Sequence, residues 1–297
     1  MENSATVEEQ VRGHEVLIRQ AEPADVAVCG QICFEAFKTI SQKHGFPCEL
    51  PDEETATRVI SSMFGNPRFY CVVAEINGAI VGSNCLDERS AIAGVGPITI
   101  DPRTQDRGVG RKLMTAVIER ARMREAPGIR LVQAAYHSRS LSLYTKLGFD
   151  IREPLALMQG LISASVDGCV VRTATLSDVE SCDRLCKRVH GHDRHYELLD
   201  GIEAGRSIVV ERSGRITGYA SQLAFFGYAV AESNLDMQAL IGSNRPFGGA
   251  GILVPTRNAS LFRSCLDAGL RVVEPMTLMS QGLYNEPSGA WLPSISF

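Results

Sequence analysis

Apolar and polar residues alternate along residues 95–104, and the period of the pattern changes after Pro102. Ile98 and Ile100 alternate with Thr99, as expected of a half-buried strand. Pro102 has no backbone N–H to donate, so it ends the strand. The apolar residues that follow are spaced three and four positions apart, which is typical of an amphipathic helix: Leu113, Met114, Val117, Ile118 and Ala121. The pattern predicts a strand, a polar turn and a helix.

Two glycines, Gly108 and Gly110, lie where this helix begins. The first N–H groups of a helix have no intrahelical partner and carry the positive end of its dipole, so a phosphate can bind them where glycines allow close approach. Leu113 stands where a dinucleotide fingerprint has its third glycine, and Arg111 stands where a Walker loop has lysine. The remaining pattern, Gln-x-x-Gly-x-Gly from Gln105, predicts a phosphate-binding turn. A surface turn capped by glycines is the alternative.

A second strand and helix follow the first pair. Residues 129–136 have the apolar content of a strand, and residues 138–147 read as a helix closed by Gly148 and Phe149. Together the two segments resemble the GNAT superfamily of N-acetyltransferases, in which a Gln/Arg-x-x-Gly-x-Gly turn precedes a strand and a helix ending in Leu-Tyr-x-x-x-Gly-Phe. The resemblance is strong over residues 16–160.

The resemblance implies an α/β (α+β) fold with a mixed, mainly antiparallel sheet flanked by helices. It also implies acetyl-CoA as the co-substrate. Its pantetheine arm would pair with the strand that contains Ile98, Thr99 and Ile100. Its pyrophosphate would bind the turn composed of Gln105, Asp106, Arg107, Gly108, Val109, Gly110 and Arg111. The cations Arg107, Arg111 and Lys112 would attract phosphates. Alternatively, these cations form a solvated helix start.

The resemblance assigns Tyr144 as the general acid that protonates the departing CoA sulfur, with simple packing as the alternative. His137 stands where the family commonly has Asn. It either replaces a structural hydrogen bond or accepts a proton from the acceptor amine. The general base is predicted to be Glu88, next to Asp87. These two acids could equally form a self-paired turn, and deprotonation through water without a single base is also open.

The loop at residues 44–54 is rich in acids, which are Glu49, Asp52, Glu53 and Glu54. Negative charge there favours a cationic amine as acceptor. A capped helix start is the alternative for most of these acids, because carboxylates stabilise the first turn of a helix.

The chain beyond residue 160 repeats the pattern of the part before it. Three sets of residues match at offsets of 153, 136 and 121 (171 − 18, 211 − 75 and 269 − 148). The sets are Ile18, Arg19, Ala21 and Asp25 with Val171, Arg172, Ala174 and Asp178; Glu75, Gly78 and Gly82 with Glu211, Gly214 and Gly218; and Gly148, Glu153, Pro154, Leu157 and Met158 with Gly269, Glu274, Pro275, Leu278 and Met279. The second copy lacks a Gly-x-Gly turn at residues 231–235. We predict a catalytic GNAT domain at 15–160 and a degenerate GNAT-like domain at 168–297, as in a bacterial-type tandem protein.

Composition narrows the possible partners and compartments. The 297 residues are 44% hydrophobic and 22% charged with a formal charge of −4, which disfavours nucleic acid as a partner. The acidic N-terminus does not look like a signal peptide, and no apolar run reaches membrane length, so we expect a cytoplasmic protein without membrane contact. The nine cysteines are expected to be free thiols. The irregular spacing of His190, His192, Asp193 and His195 predicts no metal site.

Two functions remain open from the sequence. The first is transfer of an acetyl group from acetyl-CoA to a primary amine of a small molecule or peptide, through a tetrahedral intermediate, by a monomer or homodimer. The second is a non-catalytic tandem GNAT module that binds acetyl-CoA or a partner as a sensor. The phosphate-binding turn together with Tyr144 favours the enzyme.

Overall fold

The computed structural model describes residues 15–104, 107–162, 166–243 and 246–297. The strands of the first half are β1 (Val16–Gln20), β2 (Phe69–Ile76), β3 (Ala79–Asp87), β4 (Ala93–Val95), β5 (Thr99–Ile100), β6 (Gly128–Ala134) and β7 (Asp150–Gln159). Its helices are α1 (Val26–His44), α2 (Glu53–Gly65), α3 (Val109–Met123) and α4 (Ser138–Lys146). The predicted strand, turn and helix around residue 105 are thus β5 and α3, and the second predicted pair is β6 and α4.

The second half has a similar order of elements. Its strands are β8 (Cys169–Thr173), β9 (Ile208–Arg212), β10 (Arg215–Ala220), β11 (Ala229–Ala231), β12 (Ile252–Pro255), β13 (Arg271–Gly282) and β14 (Ala290–Leu292). Its helices are α5 (Val179–His190), α6 (His195–Glu203), α7 (Asn234–Ser243) and α8 (Ala259–Asp267). Among the described residues, none of the helices is long and apolar enough to cross a membrane.

Matched residues of the two halves form the same contacts. Arg19 donates to Asp25 at 2.7 and 2.9 Å and to Glu75 at 2.8 Å. In the second half, Arg172 donates to Asp178 at 2.7 and 2.8 Å and to Glu211 at 2.9 Å. Charge-assisted hydrogen bonds of this kind fix the first strand of each half against the turn that follows it. The offsets found in the sequence therefore correspond to equivalent positions in space.

The strands form two mainly antiparallel sheets flanked by helices, and this confirms the predicted fold class. The larger sheet has the order β1-β2-β3-β4-β6-β13-β7-β12, with β5 paired to β3, and the smaller has the order β14-β11-β10-β9-β8. Strands β4 and β6 pair in parallel. The hairpin of β2 and β3 turns at Asn77 and Gly78, both with positive φ, as its Asn-Gly sequence predicts.

The larger sheet contains strands from both halves of the chain. Strand β13 lies between β6 and β7, pairing with β6 from Met276 opposite Ala134 to Gly282 opposite Gly128. Its other edge pairs with β7, and β12 pairs with the far edge of β7. The domain boundaries at 15–160 and 168–297 stay a prediction, but hydrogen bonding crosses between these two segments.

The expectation that all cysteines are free thiols is wrong for one pair. Cys71 and Cys85 are direct neighbours across β2 and β3, with Cα atoms 4.1 Å apart, and they form a disulfide. Their sequence separation of 14 residues gave no sign of this, because only the hairpin register places them opposite each other. Cys29, Cys33, Cys182 and Cys186 are buried on the inner faces of α1 and α5, as predicted.

Candidate active site

A cavity of about 400 Å³ opens beside the point where β4 and β6 stop pairing. Strand β6 pairs with β4 only at Ile129 and Arg130, so the residues after β4 diverge from β6 and leave a gap. The first half lines this gap with α1, residues 95–102, β6 and the start of α4. The second half lines it with Phe225, Phe226, Met276, Ile295 and Ser296. The cavity is therefore enclosed by both halves of the chain.

The strand predicted to pair with the pantetheine arm is part of the cavity wall. Ile98, Thr99 and Ile100 all line the cavity. One edge of β5 pairs with β3, through Ile100 opposite Gly82 and Thr99 opposite Ser83. Within the described ranges, no strand pairs with its other edge. An extended ligand arm could add to such an edge through backbone hydrogen bonds, as peptides do in β-augmentation.

The predicted phosphate-binding turn begins α3. Gly108 is the N-cap residue and has φ +76°, a left-handed conformation that favours glycine. Gly110 is buried, and a Cβ there would lie 2.9 Å from Ile100 Cδ1 and 3.4 Å from Leu143 Cδ2. The glycine therefore lets α3 pack closely against β5 and α4. Gln105 and Asp106, which were also predicted to bind phosphate, lie outside the described residues.

The cations around this turn differ in their surroundings. Arg107 and Arg111 are exposed beside the helix start, where an incoming phosphate could meet them. Lys112 Nζ instead donates to the carbonyl oxygen of Val16 at 2.9 Å. It ties α3 to β1, which favours the structural alternative for this lysine. Val109 is buried at the same helix start.

Tyr144 lies on the cavity wall near the C-terminal end of α4. Its side chain is buried and contacts Phe149 edge to face, with ring centroids 6.3 Å apart. Burial raises the pKa of its hydroxyl to about 12, although a hydrogen bond with Ser140 acts in the opposite direction. The phenol is therefore protonated at neutral pH and available as a donor.

His137 also lines the cavity, at the N-cap of α4 and about two helical turns before Tyr144. Its Nδ1 lies 2.8 Å from Ser140 Oγ, which links it to the residue that contacts Tyr144. Burial lowers the pKa of the imidazole to about 4, and the nearby cations Arg139 and Lys43 add to this effect. The ring is consequently neutral at pH 7. Unlike the matching Asn258, which accepts from Leu261 N at 3.3 Å, it does not cap its helix through the side chain.

Glu88 is bound by arginine side chains and lies outside the described cavity lining. Its carboxylate accepts from Arg120 Nε at 2.8 Å and Nη2 at 3.1 Å, and it also binds Arg124. Glu88 is not among the described residues that line the cavity. Asp87 is likewise bound to Arg89. The hypothesis of Glu88 as base is corrected accordingly, because its lone pairs are committed to two guanidinium groups elsewhere.

The acids of residues 44–54 divide into two groups. Asp52 caps α2 by accepting from Thr55 N at 2.7 Å, and Glu54 accepts from Arg58 at 3.0 Å. These contacts agree with the capped helix start. Glu49 differs, because it lines the cavity and is only 7% exposed.

Next to Glu49 lies a residue that sequence reasoning missed as a functional group. Glu274 on β13 is 1% exposed and accepts from Tyr136 Oη at 2.9 Å. Burial raises the pKa of Glu274 to about 8, and the negative charge of Glu49 adds to the shift. Burial also raises the pKa of Glu49. The sequence contained one sign that Glu274 differs from an ordinary buried acid. Glu274 matches Glu153 in the repeat, but the residue that matches Arg257 of the second copy is Tyr136 (257 − 136 = 121).

In the second half, the N-terminus of α7 corresponds to the N-terminus of α3 but contains an acidic side chain. Asp236 in the first turn of α7 is fully buried and accepts from Arg212 at 2.8 and 3.0 Å and from Thr217 at 2.7 Å. A carboxylate already occupies the positive end of this helix, so a phosphate would be repelled there. Residues 248–251, the glycine-rich stretch, lead into β12 as a turn. In the part of the chain that is described, no group of three or more His, Cys, Asp or Glu residues is arranged to hold a metal ion.

Comparison with known proteins agrees with this geometry. A family model described as the acetyltransferase (GNAT) family matches residues 35–149. A candidate acetyltransferase from Pyrococcus horikoshii has a similar fold, with a TM-score of 0.72 and 20% identity over 98% of this chain and 96% of that chain. A GCN5-related N-acetyltransferase from Sphaerobacter thermophilus has a TM-score of 0.59 and 15% identity over 95% of this chain and 98% of that chain. At these identities the two structures show a shared fold. No curated protein sequence matches the chain.

Proposed function

We propose that the protein transfers an acetyl group from acetyl-CoA to a primary amine, a reaction supported by the match of residues 35–149 to the acetyltransferase (GNAT) family model. The observation that carries this proposal is that a single cavity is lined both by Ile98, Thr99 and Ile100 and by Tyr144. A donor whose arm pairs with β5 would enter the same space that Tyr144 faces. The amine acceptor then approaches from the part of the cavity closed by the second half.

The turn at Gly108 and Gly110 is the proposed site for the pyrophosphate. The unpaired N–H groups at the start of α3 would donate to phosphate oxygens, and Arg107 and Arg111 would supply further positive charge. Apart from its chain neighbours, no described residue has an atom within 4 Å of a Cβ added at Gly108, so the described part of the chain leaves open space there. A pyrophosphate bound at this turn would align the pantetheine arm of acetyl-CoA with β5.

In the proposed reaction, acetyl-CoA supplies the activated acetyl group as a thioester. The deprotonated amine nitrogen attacks the carbonyl carbon, a C–N bond forms, and the tetrahedral intermediate then loses its C–S bond. Tyr144 donates its hydroxyl proton to the sulfur as the thiolate departs. Its burial is compatible with this role, because the raised pKa keeps the phenol protonated at neutral pH, so that a proton is present when the sulfur departs.

The proposal is tested by measuring binding and turnover separately on the full chain. Calorimetry with acetyl-CoA should show one site per chain, and a free-thiol assay should show CoA release that depends on an added primary amine. Absence of acetyl-CoA binding would overturn the proposal. Binding without turnover over panels of small amines, amino acids and peptides would favour the sensor instead.

A further inference from the structure

Two buried carboxyl groups meet beside the cavity, one from each half of the chain. Glu49 follows α1 in the first half, and Glu274 lies on β13 of the second half. Ser41 Oγ lies 3.4 Å from Glu49 Oε2, and Tyr136 Oη donates to Glu274 Oε2. Glu274 Oε1 is buried and has no donor partner in the described chain. Each carboxyl group influences the pKa of the other through a mutual side-chain contact, which indicates that the two lie close together.

The repeat provides an internal comparison for Glu274. Its counterpart Glu153 is also buried, at 3% exposure, and accepts three hydrogen bonds of 2.8 to 3.2 Å from Arg257. The counterpart of Arg257 in the other half is Tyr136, which carries no positive charge. A buried carboxylate without a cation is costly, and it retains a proton instead. Glu153 thus has an arginine partner, whereas Glu274, beside the cavity, has a tyrosine at the matching position.

The cationic side chains that line the cavity, such as Lys43, are not ion-paired with either carboxyl group in the described chain. Across the described ranges, neither Glu49 nor Glu274 forms an ion pair with a lysine or an arginine. The other titratable groups near the pair are Cys33, Lys43 and His44 from α1, Cys48 from the following loop, and Tyr136 and His137 after β6. Burial raises the pKa of both thiols, so they are uncharged at neutral pH.

A pair of close carboxyl groups ionises in two steps, because the second negative charge is repelled by the first. Because burial raises the pKa of both groups, the pair retains a proton at a pH where a solvent-exposed carboxyl group has lost it. The hydrogen bond from Glu274 favours ionisation of Glu49, whereas the same contact disfavours ionisation of Glu274. A cationic amine in the cavity would favour the carboxylate form of Glu49, with the shared proton on Glu274. Glu49 is also the member that lines the cavity.

We propose that Glu49 binds the ammonium group of a primary amine acceptor and accepts its proton, and that Glu274 of the second half positions and stabilises the Glu49 carboxylate. This inference rests on the proposed function and adds to it a catalytic residue, a positioning residue and a cationic acceptor class. It also gives the second half a direct part in the reaction.

The proton balance is complete with these groups. The bound ammonium loses one proton to Glu49, and the neutral nitrogen forms the C–N bond. Once the bond has formed, the nitrogen loses a second proton as the C–S bond breaks. Tyr144 gives its own proton to the sulfur and regains one of the two protons lost by nitrogen. The other proton leaves Glu49 for solvent, so that the products are the amide, the CoA thiol and one proton.

The decisive experiment compares Glu49→Gln with the parent on two acceptors of similar size. Benzylamine is a cation at pH 7 and needs a proton acceptor, whereas aniline is uncharged. Removal of a general base should lower kcat/KM for benzylamine at least tenfold, against a smaller loss for aniline. The ratio of the two losses does not depend on the fraction of folded enzyme. An unchanged ratio would overturn the role of Glu49.

The positioning role of Glu274 has its own readout, the pH profile of kcat/KM for benzylamine. Glu274→Leu removes the hydrogen bond to Glu49, so the acid limb should move up by about one pH unit. Glu274→Gln keeps a hydrogen-bond donor for Glu49, so the acid limb of its pH profile should stay close to that of the parent. Glu153→Leu is the matched control in the other copy, and it should lower stability without moving the limb. Equal profiles for Glu274→Leu and Glu274→Gln would contradict the proposal.

Failure of the proposed function and failure of the role of Glu49 give different experimental results. Loss of acetyl-CoA binding in the parent would remove the proposed function, and the acceptor role would fall with it. Normal donor binding and benzylamine turnover with an unchanged ratio would remove the role of Glu49 alone. If the parent acetylates neither amine, infrared spectroscopy at pH 7 reads the pair directly. A protonated carboxyl band should be present in the parent and missing in Glu274→Leu, and its absence from the parent would refute the shared proton.

Discussion

Tyr144 and Glu88 show how far a single residue can be interpreted from its local sequence. The position of Tyr144 follows from its spacing to Gly148 and Phe149 on one short helix, and the structure places it on the cavity wall. The sequence predicts Glu88 as the base only because it precedes the strand at Ile98. Its actual partners are Arg120 of a different element, α3, and Arg124, the residue directly after that helix. Local spacing cannot reveal such partners.

Replacing Tyr144 by Phe removes the hydroxyl and keeps the ring, so contact with Phe149 is preserved. Proton donation to the leaving thiolate would be lost, and such transfer is worth on the order of 10²–10⁴ in rate. We expect acetyl-CoA affinity to stay within about twofold and turnover to fall at least tenfold. Calorimetry and the free-thiol assay give the two quantities. Turnover within about twofold of the parent, with chemistry rate-limiting, would mean that Tyr144 only packs.

Replacing Glu88 by Gln tests the corrected role of that residue. Its carboxylate is held by two partly exposed arginines, so the loss should lower the free energy of unfolding by about 1 kcal/mol. The value of kcat/KM should stay within about twofold, and the acid limb of its pH profile should not move. Thermal unfolding and the pH profile provide the measurements. A loss as large as that expected for Glu49→Gln would restore Glu88 as the base.

At the scale of elements, α3 and α7 are matched helices that have different residues at their N-termini. The first has glycines and exposed arginines, and the second has the buried carboxylate of Asp236 bound to Arg212. Because a helix N-terminus attracts anions, an acid placed there takes the position that a phosphate would need. This contrast predicts that acetyl-CoA binds the first half of the chain and not the second.

Gly108→Glu tests that prediction by placing a negative charge at the start of α3. The pyrophosphate would be repelled and blocked, so the dissociation constant for acetyl-CoA in calorimetry should rise at least tenfold. Gly214→Glu is a suitable control, because Gly214 has φ +73° against +76° for Gly108 and also has open space around it. The backbone strain of about 1–2 kcal/mol is then shared by both variants. Equal affinities for the two variants, or two equivalent sites in the parent, would contradict the assignment.

At the scale of the whole molecule, β13 connects the two halves. It contributes hydrogen bonds to both β6 and β7, and its Met276 and Leu278 are buried among residues of both halves. Without it, the facing edges of β6 and β7 would have unpaired backbone groups and exposed apolar side chains. Open edges of this kind promote aggregation.

Truncation after Gly160 should therefore yield a fragment that aggregates or fails to fold. The expected observations are loss of a cooperative thermal transition and early elution in size-exclusion chromatography. The same truncation removes Glu274 and five residues of the cavity wall, so turnover should be lost even in any soluble fraction. A soluble, monomeric and fully active fragment of residues 1–160 would show that β13 is dispensable.

The sequence by itself determined the elements, the glycine turn, Tyr144 and the repeat, because each depends on residues close together in the chain. Apolar periodicity reports which face of a helix or strand is buried, and a turn needs its glycines at fixed spacing. The tertiary structure alone decided which distant strands pair. It placed β13 between β6 and β7, Cys71 opposite Cys85, Glu88 between two arginines, and Glu274 beside Glu49. These contacts depend on packing and strand register, which no local pattern encodes.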